Sequence, residues 1–192
     1  HDSARIGDGD DMAARGVISH VNDAAAALGC AVGQTAMACG EAMKAAPLPS
    51  GEAPVYEEAR FQFSPAGETP IIWGVDSASL LREEDAGQIV LTGSHGALLG
   101  GEAASAVKYD VLACAFNDAG VGRESIGITR LPALDPRNIA AVTVDCQSAR
   151  IGDARSMWET GIVSYLNETA AALGVKVGDS LQSFAETAQK NG

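Results

Sequence analysis

Three short apolar runs, residues 89–91, 111–116 and 139–144, interrupt a chain of mixed and alanine-rich polarity. Each ends abruptly at polar or glycine-bearing residues, the pattern of a buried strand rather than a helix. The loops that follow are Thr92-Gly93-Ser94-His95-Gly96, then Asn117-Asp118-Ala119-Gly120, then Asp145-Cys146-Gln147-Ser148-Ala149-Arg150. Helix-length segments between the runs imply parallel βαβ units. An irregular run at 55–63 and a buried one at 71–75 predict two more strands. Asp76 and Ser77 then cap a helix that starts near Ala78, and an acidic turn covers 83–87. Further helices are predicted at 101–108 and 123–134, the latter with Ile128, Leu131 and Leu134 on one face. The expected fold is α/β and three-layer: a mainly parallel sheet with helices on both faces.

The hydrophobic pattern also repeats. Ser3-Ala4-Arg5-Ile6-Gly7-Asp8 returns unchanged as Ser148-Ala149-Arg150-Ile151-Gly152-Asp153, and 18 of the 41 positions from Ser3 to Met43 match in register. We read this as a duplicated loop–helix–helix element at the two ends of the chain. Asp8 and Asp153 are the expected N-caps of a first helix, with Val17, Val21, Ala24 and Leu28, or Ile162, Leu166 and Leu173, along its apolar face. Gly29 and Gly174 are its expected C′ residues, and second helices are expected at 34–44 and 179–189. Ser19 and Asn22, with Ser164 and Asn167, are expected on one helical face in a buried hydrogen-bonded contact. The expected organisation is residues 1–46 as the first copy, packing on the main domain, and 47–192 as an α/β domain ending in the second copy. A connection at 45–54 divides them. The first copy has no strand before it, whereas the second follows the run at 139–144. Two arrangements fit: the tail of a preceding unit, or two copies flanking one sheet, which we favour for the folded object.

Composition narrows the function. A net charge of −12, with 13 basic residues scattered along the chain, argues against nucleic acid. No apolar run is long enough to span a bilayer and no signal-peptide pattern is present, so a cytoplasmic protein without membrane partners is expected. Cys30, Cys39, Cys114 and Cys146 form no CxxC pair, which suits free thiols in a reducing compartment. No metal motif and no dinucleotide fingerprint occurs, so neither metal nor cofactor is expected. Asp8, Asp10 and Asp11 could form an acidic cation site, but a charged first helical turn explains them equally.

The candidate chemistry lies in the three loops, because ligands of open parallel sheets bind outside the carboxyl ends of the strands. His95 between small residues is the candidate acid/base, and Asp118 its orienter or a ligand for a substrate hydroxyl or amine. Ser94, Gly96, Asn117, Ser148 and Arg150 are the candidate substrate-binding residues, Arg150 as a bidentate anion clamp and the loop glycines as sources of backbone donors. Asn117 could instead serve an Asx-turn, and retention of Ser3 and Arg5 could mean a shared structural role for Ser148 and Arg150. Cys146 is a weak nucleophile candidate. The strand–Ser94-His95-Gly96 sequence resembles the His-Gly loop of caspase-like cysteine peptidases, and its order is similar to the phosphorylated histidine loop of mannose-type phosphotransferase proteins. Each likeness covers a handful of residues, and no family is assigned.

The expected function is an enzyme acting on a small polar, anionic metabolite by hydrolysis or related acid/base chemistry. The alternative is a non-catalytic ligand-binding or assembly subunit, whose first copy needs a partner chain to supply its strand; a homo-oligomer or partner chain is expected. A phosphohistidine carrier using His95 is a third option.

Overall fold

The computed structural model describes residues 1–47, 51–52, 55 and 57–192. The chain forms two compact units, His1–Tyr56 with Gly122–Glu124, and Glu57–Val121 with Ser125–Gly192. The connection expected at 45–54 lies largely outside the described residues, as does Tyr56 within the strand expected at 55–63.

The first unit holds three short helices, α1 (Gly9–Arg15), α2 (Asp23–Ala27) and α3 (Ala36–Met43). Each starts on the expected kind of cap. The side chains of Asp8, Asn22 and Thr35 accept the backbone N–H groups of Asp11, Ala25 and Ala38. Gly29, at φ +91°, closes α2 as the C′ residue. Arg5 and Arg15 both grip Glu124, at 2.7 and 2.9 Å, and Arg15 also holds Asp11. Those contacts hold the Glu124 and Asp11 carboxyls below their ordinary range, Arg15 being the largest cause for each.

The second unit is built on a six-stranded mixed sheet in the order β1 (Arg60–Gln62), β2 (Ile72–Val75), β3 (Ile89–His95), β4 (Ala113–Asn117), β5 (Ala140–Val144) and β6 (Val163–Leu166). Strands β2 to β5 are parallel neighbours, and β1 and β6 add antiparallel edges. The sheet is therefore not wholly parallel. Its helices are α4 (Arg130–Leu134), α5 (Ala154–Thr160), α6 (Glu168–Ala172) and α7 (Leu181–Asn191). Strand residues alternate between two apolar clusters, as a sheet buried on both sides requires. Ile89, Leu91, Ala113, Ala115, Val142 and Val144 join Met157, Phe184 and Ala188. Val90, Cys114, Phe116 and Ala141 join Leu131 and Leu134. Asp85 is fully buried and paired with Arg60, whose guanidinium lies 4.0 Å from the Trp73 ring centre.

Several expected helices are shorter or absent. Residues 101–108 contain a single 3₁₀ turn at Ala103–Ser105, and 123–134 divide into a 3₁₀ stretch, Arg123–Ile128, and α4. The 3₁₀ turn Ala78–Leu80 replaces the helix expected after Ser77. The first helix of each repeated stretch stops early. Gly161 takes an extended conformation that brings it against the Met157 carbonyl, a close approach that no Cβ would permit, and Ile162 then enters sheet geometry. Gly16 does the same against Met12. The apolar residues read as one helical face therefore include strand β6, which pairs with β5. Ser164 bonds across to Thr143 at 3.1 Å, while Asn22 and Asn167 are N-caps of separate short helices.

Candidate functional site

The register of β3, β4 and β5 sets His95 beside Asn117 and Asn117 beside Val144. Gly96, Asp118 and Asp145 consequently begin three neighbouring loops at one sheet edge.

His95 is half-buried, and its Nδ1 accepts the backbone N–H of Ala97 at 3.2 Å. Burial lowers its pKa, and the positive charge of Arg130 lowers it further, so the ring is neutral at pH 7. With Nδ1 an acceptor, the proton resides on Nε2, which makes His95 a hydrogen-bond donor toward the sheet edge. The orienting contact comes from Ala97, and no hydrogen bond joins His95 to Asp118 among the described residues.

Arg130 holds this loop in place, and sequence reasoning missed it. Its Nε donates to the Ala97 carbonyl at 3.0 Å, its Nη1 to that of Ala106, and its backbone N–H to that of Gly96 at 2.9 Å. The guanidinium lies 4.9 Å from the Phe116 ring centre. One signal was available: a lone arginine amid Ile126-Gly127-Ile128-Thr129-Arg130-Leu131 must satisfy its donors inside the fold.

In the same loop the N–H groups of residues 96–99 are already engaged. The N–H of Gly96 bonds the Asn117 carbonyl, that of Leu98 the Thr129 hydroxyl, and that of Leu99 the Ser105 hydroxyl. With Ala97 bonded to His95, four successive N–H groups point into the protein, and Gly96 is a packing glycine against Gly127 and Thr143. The Ser94 hydroxyl accepts the Ala78 N–H at 2.9 Å. Asn117 is fully buried, with its Oδ1 on Ala119 and its Nδ2 on Ala149 and Met157, so the Asx-turn accounts for it. Ser148 donates to the Asp145 carbonyl and accepts from Ile162, a clasp that Ser3 reproduces on Val17 at 2.8 Å. These contacts turn Ser94, Gly96, Asn117 and Ser148 into builders of the edge.

Asp118, Asp145, Cys146 and Arg150 keep reactive atoms there. Asp118 is buried, and its Oδ1 accepts from Gly120 and Cys146, while the Oδ1 of Asp145 accepts from Gln147. One carboxylate oxygen of each remains without a hydrogen bond among the described residues. A ligand atom of Asp118, one of Asp145 and the Cys146 sulfur lie within 4.8 Å of one another. Two oxygens and a sulfur form a mixed donor set that could hold a divalent cation such as zinc. Burial pushes the Cys146 thiol up and the neighbouring carboxylates add to this, so it is protonated at neutral pH and a poor nucleophile. Arg150 is exposed and lines a recess of about 240 Å³ with Cys146, Gln147 and Ser156. Arg5, its counterpart, lines a recess of its own unit and is committed to Glu124. Cys30, Cys39 and Cys114 are buried free thiols, and burial drives that of Cys114 up to about 12.

No family model, curated protein or solved structure matches the chain significantly.

Proposed function

We propose that this chain is an enzyme acting on a small polar metabolite by hydrolysis or related acid/base chemistry at the carboxyl edge of its sheet. The reading is carried by one observation: Asp118, Asp145 and Cys146 converge within 4.8 Å on the loops after β4 and β5. Two carboxylates so close suit a substrate amine or hydroxyl and offer the acid/base groups, with Arg150 on an anionic group and the Nε2–H of neutral His95 donating a hydrogen bond to the substrate. The proposed architecture is three-layered, with residues 3–43 and 148–188 as copies of one duplicated element; the supporting feature is their shared sequence and caps.

A thermal-shift screen of small amino acids, hydroxy acids, carboxylates and phosphates tests the reading. A ligand at one hundred times its Kd adds about 2.7 kcal/mol of stability. The expected hit loses its effect in Arg150→Ala and in Asp118→Asn. If no class stabilises the protein, the reading fails. Stabilisation by zinc alone, abolished by Asp118→Asn, would turn the same residues into a metal centre and displace the direct acid/base role.

A further inference from the structure

Residues 161–188 pack on the sheet of their own unit, whereas within the first unit no strand lies along the matching edge Ile18–Val21 among the described residues. The backbone skeletons of the two stretches coincide. Ile18 bonds Gln34 and receives Gly33, both at 2.9 Å, as Val163 bonds Asp179 and receives Gly178 at 2.9 Å. Ala36 donates to Gly16 as Leu181 donates to Gly161. In the second stretch this skeleton lies against the sheet: Val163, Ala170, Phe184, Ala185 and Ala188 pack on β3, β4 and β5, and β6 pairs with β5.

Asn167 locks that arrangement. Its Oδ1 accepts from Ala141 in β5 as well as from Ala170, and its Nδ2 donates to the Ile139 carbonyl at 2.9 Å and the Leu131 carbonyl at 3.4 Å. One side chain thus caps a helix and clamps the start of a strand. Asn22 occupies the same place and makes the same cap to Ala25, yet it is exposed, and its Nδ2 has no partner among the described residues. Nor does any backbone bond reach the N–H groups from Ser19 to Asn22 among those residues. Beside them, Ile18, Val21, Ala25, Leu28 and Met43 line an apolar groove of about 650 Å³.

We propose that the edge Ile18–Val21 and this groove form a docking site for an apolar β-strand of a partner polypeptide, antiparallel to Ile18–Val21 and clamped by the Asn22 amide. The template is β5 itself, Ala140-Ala141-Val142-Thr143-Val144: small and β-branched residues on the buried face, and a backbone N–H and C=O two residues apart for the amide. Edge pairing supplies the affinity, and the shallow groove selects small side chains.

The test uses the full chain and a labelled synthetic peptide of residues 137–146, read by fluorescence anisotropy. Saturable binding is expected, and a scrambled peptide should not bind. Asn22→Asp keeps the cap acceptor but removes both amide donors, so it should weaken binding at least tenfold without unfolding the unit. Ala25→Glu, aimed into the groove, should abolish it. Absence of binding at millimolar peptide, or binding insensitive to both substitutions, overturns the proposal. So does self-association of the chain that Ala25→Glu disrupts, because the groove would then be covered by a second copy.

Discussion

Residues 3–43 and 148–188 make the same turns with the same backbone hydrogen bonds, yet several matching side chains differ sharply in burial. Met157 is fully buried, whereas its counterpart Met12 is 46% exposed, and Ala188 is buried where Met43 is 44% exposed. Caps and extended glycines recur because they are written in residues that act over a few positions, and the serine clasp because each copy closes the same 14-residue span. The residues that differ are those that meet a sheet. Leu181, Phe184 and Trp158 of the second stretch answer to Ala36, Cys39 and Ala13 of the first. Local chemistry specifies the motif, and tertiary surroundings specify its volume.

Truncating the volume should break the likeness most. Phe184→Ala removes a fully buried ring from the larger cluster and should cost about 4 kcal/mol. Cys39→Ala, at the matching position, deletes one buried sulfur and should cost about 1 kcal/mol or less. Both tryptophans, Trp73 and Trp158, belong to the second unit, so urea unfolding followed by their fluorescence reads Phe184→Ala directly. Amide exchange within α3 reads Cys39→Ala. Equal costs would mean that the first stretch is as tightly covered as the second.

The paired asparagines give the next contrast. Asn167→Ala leaves Ala141 N–H and the Ile139 and Leu131 carbonyls without their side-chain partner in a buried place, a loss of about 3 kcal/mol. Asn22→Ala removes a cap alone and should cost about 1 kcal/mol by the same exchange measurement. A larger loss at Asn22 would show that its amide already holds a strand.

This contrast also marks what the sequence made legible. The three central strands, the caps at Asp8 and Asp153 and the closing Gly29 and Gly174 follow from short-range pattern. Strand β3, however, runs on through Thr92-Gly93-Ser94-His95, read as loop, because Thr92 pairs with β2 and His95 with β4. Strand β6 was not legible in this way, because Ile162, Leu166 and Leu173 satisfy a helical period, and only the close turn that Gly161 permits and the pairing with β5 decide otherwise. Within the site, the edge was legible and the division of labour was not. Ser94, Asn117 and Ser148 carry the polar groups of binding residues, yet their bonds run to backbone brought near by the fold. Arg130 shows the reverse: a residue that composition files with the surface holds the His95 loop from inside.

The smallest predicted effect tests the likeness where it is closest. Ser3 accepts the Val17 N–H at 2.8 Å and Ser148 accepts the Ile162 N–H at 3.0 Å, each fastening the head of its loop to the residue after the extended glycine. Replacing either serine by alanine strands one backbone donor near the surface, at a cost of about 1 kcal/mol. Exchange of the Val17 and Ile162 amides should accelerate by similar factors in the respective variants, since neither contact involves the sheet. Should only Ser148→Ala have an effect, the clasp would owe its strength to the Asp145 carbonyl that Ser148 also binds. The shared hexapeptide would then have been kept in the first stretch for a reason other than this contact.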